Sequence, residues 1–214
     1  MCSAVLLHAA TRPAIAQPAE ARVDSDWILG KLARPAPMRT SFVEIRDSKL
    51  LKAPLRLSGE YLRPRADTLV REVRAPYVET TTIVTGKAGP GQATIVRGGK
   101  QRTFSLARVP ELAALQASFG ALLSGDRARL ERHYRLRSSG TRQHWTLLLT
   151  PTDKGVAGKI RDITLYGRGT ELRCIETRPA QGSEVQRTLL ATAARAAGNV
   201  ADADALATLC HAAS

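Results

Sequence analysis

Residues 54–76 read PLRLSGEYLRPRADTLVREVRAP. Leu55, Leu57, Gly59 and Tyr61 alternate with Arg56, Ser58, Glu60 and Leu62, the two-residue period of a strand with one buried face. Pro64, Ala66 and Asp67 interrupt the run, Leu69 to Val73 resumes it, and Ala75-Pro76 ends it. The residue before a proline is pushed toward extended or turn geometry, so the stop is sharp. The stretch reads as two strands and the turn between them, and the pattern continues on both sides.

Upstream, Asp24 or Asp26 can cap a short helix over 27–32, which Pro35 and Pro37 stop. Residues 40–46 form the first strand, with Val43 and Ile45 on one face and Phe42, Glu44 and Arg46 on the other. Downstream, 77–85 is a strand by its Thr, Val and Ile content. The following GKAGPG is a flexible turn and not a phosphate loop, because no Ser or Thr follows a Gly-Lys pair and no helix opens there. Gly98-Gly99 between two extended runs predicts a hairpin whose turn needs positive φ at both positions. Residues 109–124, VPELAALQASFGALLS, form the one clear helix. Pro110 and Glu111 suit its first turn, and Leu112, Leu115, Phe119, Leu122 and Leu123 follow helical spacing. Only Glu111 and Gln116 are strongly polar, so this helix covers an apolar surface, either as a core helix on a sheet or as a lid. Gly125 ends it and Asp126 caps a second short helix over 127–133. Strands over 134–137, 145–150, 160–166, 172–177 and 184–190, parted by turns at Ser139-Gly140, Asp153-Lys154-Gly155, Gly167–Gly169 and Gln181-Gly182, form an antiparallel meander. From Ala191 the chain is Ala-rich and weakly helical, with Asp202 or Asp204 as a cap.

Composition narrows the function classes. At 43% hydrophobic the chain can bury a real core. After the N-terminus nothing approaches the roughly 20 continuous apolar residues of a membrane span. The net charge of +13 attracts polyanions, but the cations are dispersed and form no basic block. Aromatics make up only 4%, too few for base stacking, so nucleic acid is not an expected partner. Residues 1–16 have the apolar run and the small residues Ala14-Ile15-Ala16 of a truncated signal peptide, with Arg12 interrupting it. The other reading of this stretch is a disordered Ala/Pro-rich tail. With Cys2 removed, Cys174 and Cys210 remain as an even pair. In an oxidising compartment they are a disulfide candidate that would pin the Ala-rich tail to the domain; otherwise they are two buried thiols.

Catalytic signatures are missing. His8, His133, His144 and His211 have no zinc spacing, and no Gly-x-Ser-x-Gly elbow occurs. Asp126 and Glu131 lie among Arg127, Arg129 and Arg132, which fits ion pairing on a helix surface. No catalytic residue, metal or cofactor is expected.

Several motifs then recur in one order. They are Ser41-Phe42 with Arg46, then Gly59-Glu60-Tyr61-Leu62 with Arg65 ahead of a second strand and a proline. After these come Gly125-Asp126, Leu130-Glu131 and Tyr134, then Trp145-Thr146-Leu147 and Leu149-Thr150-Pro151. In this the chain, over residues 25–190, resembles the outer-membrane lipoprotein carrier (LolA-like) family. It departs at Glu44, where the family strand typically has Gln, and at Leu69, where the family often has Phe. The resemblance implies an α+β fold: an unclosed antiparallel β half-barrel covered by a helical lid; it does not extend to the Ala-rich C-terminal tail, 191–214. It implies a hydrophobic cavity lined by Leu57, Tyr61, Leu112, Leu115, Phe119, Leu122, Leu123, Trp145 and Leu147, and gated by Arg65 beside Leu69. It further implies a monomeric periplasmic carrier of acylated lipoprotein or lipid cargo. Such a carrier works between an inner-membrane exporter and an outer-membrane acceptor, with transient contact with the membrane surface. The alternatives are a carrier for another acylated or polyene-like product with its own exporter, and an envelope sensor of lipid or lipoprotein.

Overall fold

The computed structural model describes residues 22–46, 54–85, 91–108, 122, 124–182 and 185–212. Among them, eleven strands form one antiparallel sheet. They are β1 (Met38–Arg46), β2 (Leu55–Arg65), β3 (Thr68–Ala75), β4 (Glu79–Val84), β5 (Gln92–Arg97), β6 (Lys100–Ser105), β7 (Tyr134–Gly140), β8 (His144–Pro151), β9 (Ile160–Arg168), β10 (Glu171–Pro179) and β11 (Gln186–Leu190). Their spatial order is β6-β5-β4-β3-β2-β1-β11-β10-β9-β8-β7. β1 is thus central, β6 and β7 are the edges, and the sheet is an open half-barrel. Five short α-helices have both bounds among the described residues: α1 (Ser25–Leu32), α2 (Arg127–Glu131), α3 (Lys154–Ala157), α4 (Ala191–Ala196) and α5 (Ala203–His211). The helix expected over 109–124 lies outside the described residues except for Leu122, which is buried, and Ser124.

The local signals act as the sequence predicts at several points. Asp24, Asp126 and Asp202 cap α1, α2 and α5 by accepting bonds from the amides of Trp27, Arg129 and Ala205. Gly98 and Gly99 turn the β5–β6 hairpin at φ of 54° and 74°. The expected turn at Ser139-Gly140 is displaced. β7 runs on through Gly140, and the chain reverses over 141–143, where the Thr141 hydroxyl accepts from the amides of Gln143 and His144. The expected turn at Asp153-Lys154-Gly155 is the capped start of α3.

Strand alternation divides the sheet into two faces. The outer face carries Val43 and Ile45 of β1, Cys174 of β10 and Leu189 of β11. These pack with Ala193, Ala194 and Ala197, and with Leu206 and Cys210 of α5. The Ala-rich stretch is therefore docked on the sheet. A disulfide joins Cys174 to Cys210. Arg56 of β2 donates to the carbonyls of Val200 and Gly198 at 2.8 and 2.6 Å, holding the loop between α4 and α5. Glu176, fully buried on this face, meets Arg187 at 2.7 Å, Arg178 at 2.6 Å and His211 at 3.1 Å.

The inner face carries three clusters, one of them Ile83, Ala93 and Leu106 toward the β6 edge. Under α1, Trp145, Leu147 and Leu149 of β8 pack with Ile28, Leu29, Leu32, Leu130 and Leu165. The Trp145 ring lies on Gly167, where a side chain would overlap it, and its indole N–H donates to the Gly169 carbonyl at 2.9 Å. The remaining cluster is Phe42, Leu57, Val73 and Leu190. Gly59, the glycine of the opening motif, sits where a Cβ would overlap the Glu72 carbonyl and crowd the Phe42 ring. The residue that marks the motif is thus set by the close β2–β3 approach.

Two outcomes follow from the outer-face anchor. The disulfide closes a loop between residues 36 apart in sequence. A Cys174→Ala/Cys210→Ala double variant should therefore lose about 3 kcal/mol of unfolding free energy, read from urea titrations. Coincident midpoints for the two proteins would refute this. For Glu176, burial alone would raise the carboxyl, but hydrogen bonds from His211 and Arg187 and the charges of Arg187 and Arg178 outweigh it and hold it below its ordinary value. A depressed carboxylate contributes stability above its unfolded value, near 4.5, and loses it as pH falls through the folded one. Glu176→Gln should cost about 2–3 kcal/mol at neutral pH. It should also flatten part of the decline that the parent shows below pH 4.5. Parallel stability profiles from neutral pH to the acid limb would refute the assignment.

Candidate functional site

β2 sends Leu57, Gly59, Tyr61 and Arg63 to the inner face, one residue in two. Its partner β1 sends Met38, Thr40, Phe42 and Glu44, through the pairs Met38–Arg63, Thr40–Tyr61, Phe42–Gly59 and Glu44–Leu57. Leu69, Arg71 and Val73 of β3 and Leu190 of β11 complete the same surface. At the end of the strands nearest the C-terminus of α1, this surface bounds a cavity of about 340 Å³. Its walls include Leu32, Met38, Thr40, Tyr61, Leu62, Leu69, Leu122, Leu172 and Leu190. Arg34, Arg39, Arg63, Thr170, Glu171 and Ala191 also border it.

The polar groups on this border are largely committed. Arg63 is only 7% exposed, and its guanidinium donates to the Arg34 carbonyl at 2.8 Å, tying β2 to the chain leaving α1. The Arg34 guanidinium donates to the Thr170 carbonyl at 3.3 Å, so it spans from α1 to the start of β10. Arg39 pairs with Glu60 at 3.2 Å. The Glu171 carboxylate accepts from the amide and hydroxyl of Thr192 at 2.7 and 2.6 Å, supplying α4 with the cap that Leu190 cannot.

Beyond the cavity the inner face is closed by rings and an ion pair. Phe42 and Tyr61 lie 4.9 Å apart, and the Arg71 guanidinium sits 4.8 Å above the Phe42 ring. Arg71 reaches Glu44 at 3.4 Å, and the Thr188 hydroxyl donates to the same carboxylate at 3.4 Å. Glu44, the residue that departs from the family's Gln, is buried here as one half of that pair.

Of the residues assigned to a cavity from sequence, Tyr61 and Leu122 line it and Leu57 lies in the floor cluster. Trp145 and Leu147 share the inner face but are fully buried beneath α1, away from the cavity. Leu112, Leu115, Phe119 and Leu123 lie outside the described residues. Of the gating pair, Leu69 is on the wall. Arg65 is exposed at the β2–β3 tip, where it meets Asp67 at 3.4 Å and the Thr68 hydroxyl at 3.1 Å. The Thr68 hydroxyl, and then Arg65, hold the Asp67 carboxyl below its ordinary value. The arginine against the cavity is Arg63. The alternation of β2 already marks it, since 57, 59, 61 and 63 share one parity. Arg34 and Leu172 had no comparable signal, because they reach the cavity through packing between distant elements.

Glu176, Cys210 and His211 bring metal-ligand atoms within 4.8 Å of one another. Cys210 is oxidised, however, and two guanidiniums face the carboxylate, a charge arrangement that repels a cation. Among the described residues no helix is long and apolar enough to cross a membrane.

A family model described as outer membrane lipoprotein carrier protein LolA-like matches residues 16–213. Among solved structures, the chain is similar to the LolA superfamily protein NE2245 from Nitrosomonas europaea. Identity is 14%, the match covers 79% of this chain and 92% of that one, and the TM-score is 0.39. It is also similar to a chain of the Pseudomonas aeruginosa MucA/MucB complex at 16% identity. That match covers 86% of this chain and 60% of the other, with a TM-score of 0.34. No curated protein matches it in sequence.

The contrast between the two arginines is testable by stability alone. Arg65→Ala removes an exposed pair and should change unfolding free energy by less than about 0.5 kcal/mol. Arg63→Ala removes a buried donor and should cost about 2 kcal/mol. Equal urea midpoints for the two variants would show that Arg63 is not the structural member.

Proposed function

The chain belongs to the outer membrane lipoprotein carrier protein LolA-like family, and on that premise we propose that it is a periplasmic carrier for acylated cargo. The observation that carries the reading is the cavity of about 340 Å³, walled by leucines, Met38 and Tyr61 on the inner face of an open half-barrel. Each buried acyl methylene contributes about 0.8 kcal/mol, so a chain of moderate length held there binds usefully without any covalent step. The cargo is a lipid or the acyl part of a lipoprotein. It is received from an inner-membrane machine and passed to an outer-membrane acceptor. The Cys174–Cys210 disulfide fits an oxidising compartment.

A carrier must also release. The Arg63–Arg34 contact suits a closing bond that can break, because it is a guanidinium on a backbone carbonyl at the cavity border. Arginine keeps its charge in both states and has further donors to re-pair. Arg63 takes the gating role expected of Arg65, and Leu69 forms the wall beside it.

Native mass spectrometry of the protein from a detergent-free periplasmic extract tests this reading, with solvent extraction of whatever is bound. An added acyl-bearing mass is the expected result. A clean apo mass, followed by no uptake of acylated peptide, phospholipid or single-chain amphiphile, would overturn it.

A further inference from the structure

We propose that the edge of β7 docks a partner protein by strand addition, taking an extended acidic segment whose carboxylates pair with Arg135 and Arg137. β7 ends the sheet. It pairs with β8 at seven successive positions, Tyr134 to Gly140, with no register shift. A short length, a bulge or a proline commonly closes an edge to other chains, and β7 has none of these. Its Gly140 end is taken up: the Val23 amide donates to the Gly140 carbonyl at 3.3 Å, and Arg22 bridges Thr141. Over 135–138 no strand lies on the far side among the described residues, which leaves that stretch for a guest.

Charge selects the guest. Leu136 packs into the cluster under α1, so Arg135 and Arg137 stand on the outer face, exposed, opposite Thr150 and Leu148. Arg129 and Arg132, also exposed, lie on and just after α2, which leads into the strand. Among the described residues no ion pair or hydrogen bond engages these four guanidiniums. The acids nearest in sequence are committed elsewhere. Glu131 pairs with Arg127 at 2.7 Å, as does Asp26, and Asp126 caps α2. The neighbouring strand β8 has no carboxylate. The outer face beside the edge is also clear. α1, α2 and α3 send Leu29, Leu130 and Val156 to the inner side, while α4 and α5 pack over β1, β10 and β11.

An edge carrying guanidiniums repels a second copy of itself, which brings the same charge, so edge-to-edge assembly of this chain is disfavoured. The same edge attracts a strand with a carboxylate at every second position. Arg135 and Arg137 are about 7 Å apart along the strand, the spacing of alternate side chains on any guest strand. The backbone ladder and both charge pairs therefore form in one register. Guanidinium–carboxylate bonds are charge-assisted and can be bidentate. No β7 residue borders the cavity, so docking here is independent of what the cavity holds.

Fluorescence anisotropy on the whole chain tests this, with a labelled peptide of about nine residues that alternates Glu with Thr or Val. One control peptide has the same composition with its Glu residues in a single block. Another is N-methylated on the amides that would face β7, so it cannot complete the ladder. The alternating peptide should bind at about 50 mM salt and more weakly at about 500 mM. Both controls should bind about tenfold more weakly, and amide exchange over 135–138 should slow in the complex. Arg135→Glu/Arg137→Glu should weaken the alternating peptide about tenfold. Lys100→Glu/Arg102→Glu reverses the exposed cations of the other edge strand, β6, and should leave its affinity unchanged. Circular dichroism checks folding, and the N-methylated peptide and the exchange pattern carry the test if the β7 variant unfolds. Equal losses in the two double variants, or equal binding of all three peptides, would reduce the effect to general attraction by the +13 charge and overturn the proposal. Failure of the alternating peptide to bind would overturn it too, whether phosphatidylglycerol vesicles are bound in its place or a second copy of the chain is.

Discussion

Four residue pairs between β1 and β11 join the two halves of the molecule: Phe42–Leu190, Val43–Leu189, Glu44–Thr188 and Ile45–Arg187. Everything from β2 to β6 hangs on one side of this seam, and everything from β10 back to β7 on the other. The seam joins strands far apart in the chain, so its formation closes a long loop and gains little until the neighbouring strands have paired. The outer-face anchor is placed on it. α4 and α5 pack on the β1, β11 and β10 residues of this region, the disulfide ties α5 to β10, and Arg56 reaches across from β2 to the loop between the two helices. A C-terminal stretch that looks like a weak tail, by its Ala content, is a strap across the joint.

Much of this was readable from local rules, because the rules act on neighbouring residues. The Leu57–Gly59–Tyr61 alternation located β2, the prolines and Asp67 bounded its hairpin, and the opposed faces of Val43 and Phe42 located the seam strand. Gly98-Gly99 and the three capping aspartates act within a few residues of themselves. The site was less legible. Counting along a family motif leads to Arg65, whereas strict alternation leads from Tyr61 to Arg63. The strand loses register with β3 between Leu62 and Arg65 and enters solvent at its tip, so the motif's last member is exposed and the residue two before it is buried. Trp145 and Leu147 were assigned to the cavity, but which part of an apolar face a helix covers is decided by long-range packing. Ile28, Leu29 and Leu32 of α1 take that part.

Two neighbouring parts of the inner face meet different demands. Under α1 the side chains interlock as a conventional core: Trp145 on Gly167, with Leu147, Leu130 and Ile28 fully buried. Interiors gain stability from such close packing and lose it where space is left open. The cavity is next to this core, bounded by Leu32 at the end of the same helix. Rigidity on one side is what allows space to persist on the other, since the wall formed by α1 is held by a packed core and cannot fold inward to fill the gap.

The same logic accounts for charge buried on an apolar surface. Replacing a buried ion pair with fitted apolar groups is often neutral or stabilising by about 1–4 kcal/mol, so Glu44 and Arg71 are not the most stable floor the sheet could have. They do something a leucine pair could not. Arg71 lies over the Phe42 ring and is held there by Glu44, which Thr188 anchors from the far side of the seam. Such a group cannot be pushed aside by an apolar guest without stripping one charge of its partner, which costs several kcal/mol. The ion pair lies outside the cavity, on whose border Arg63 stands, and it holds the inner face fixed beside that space.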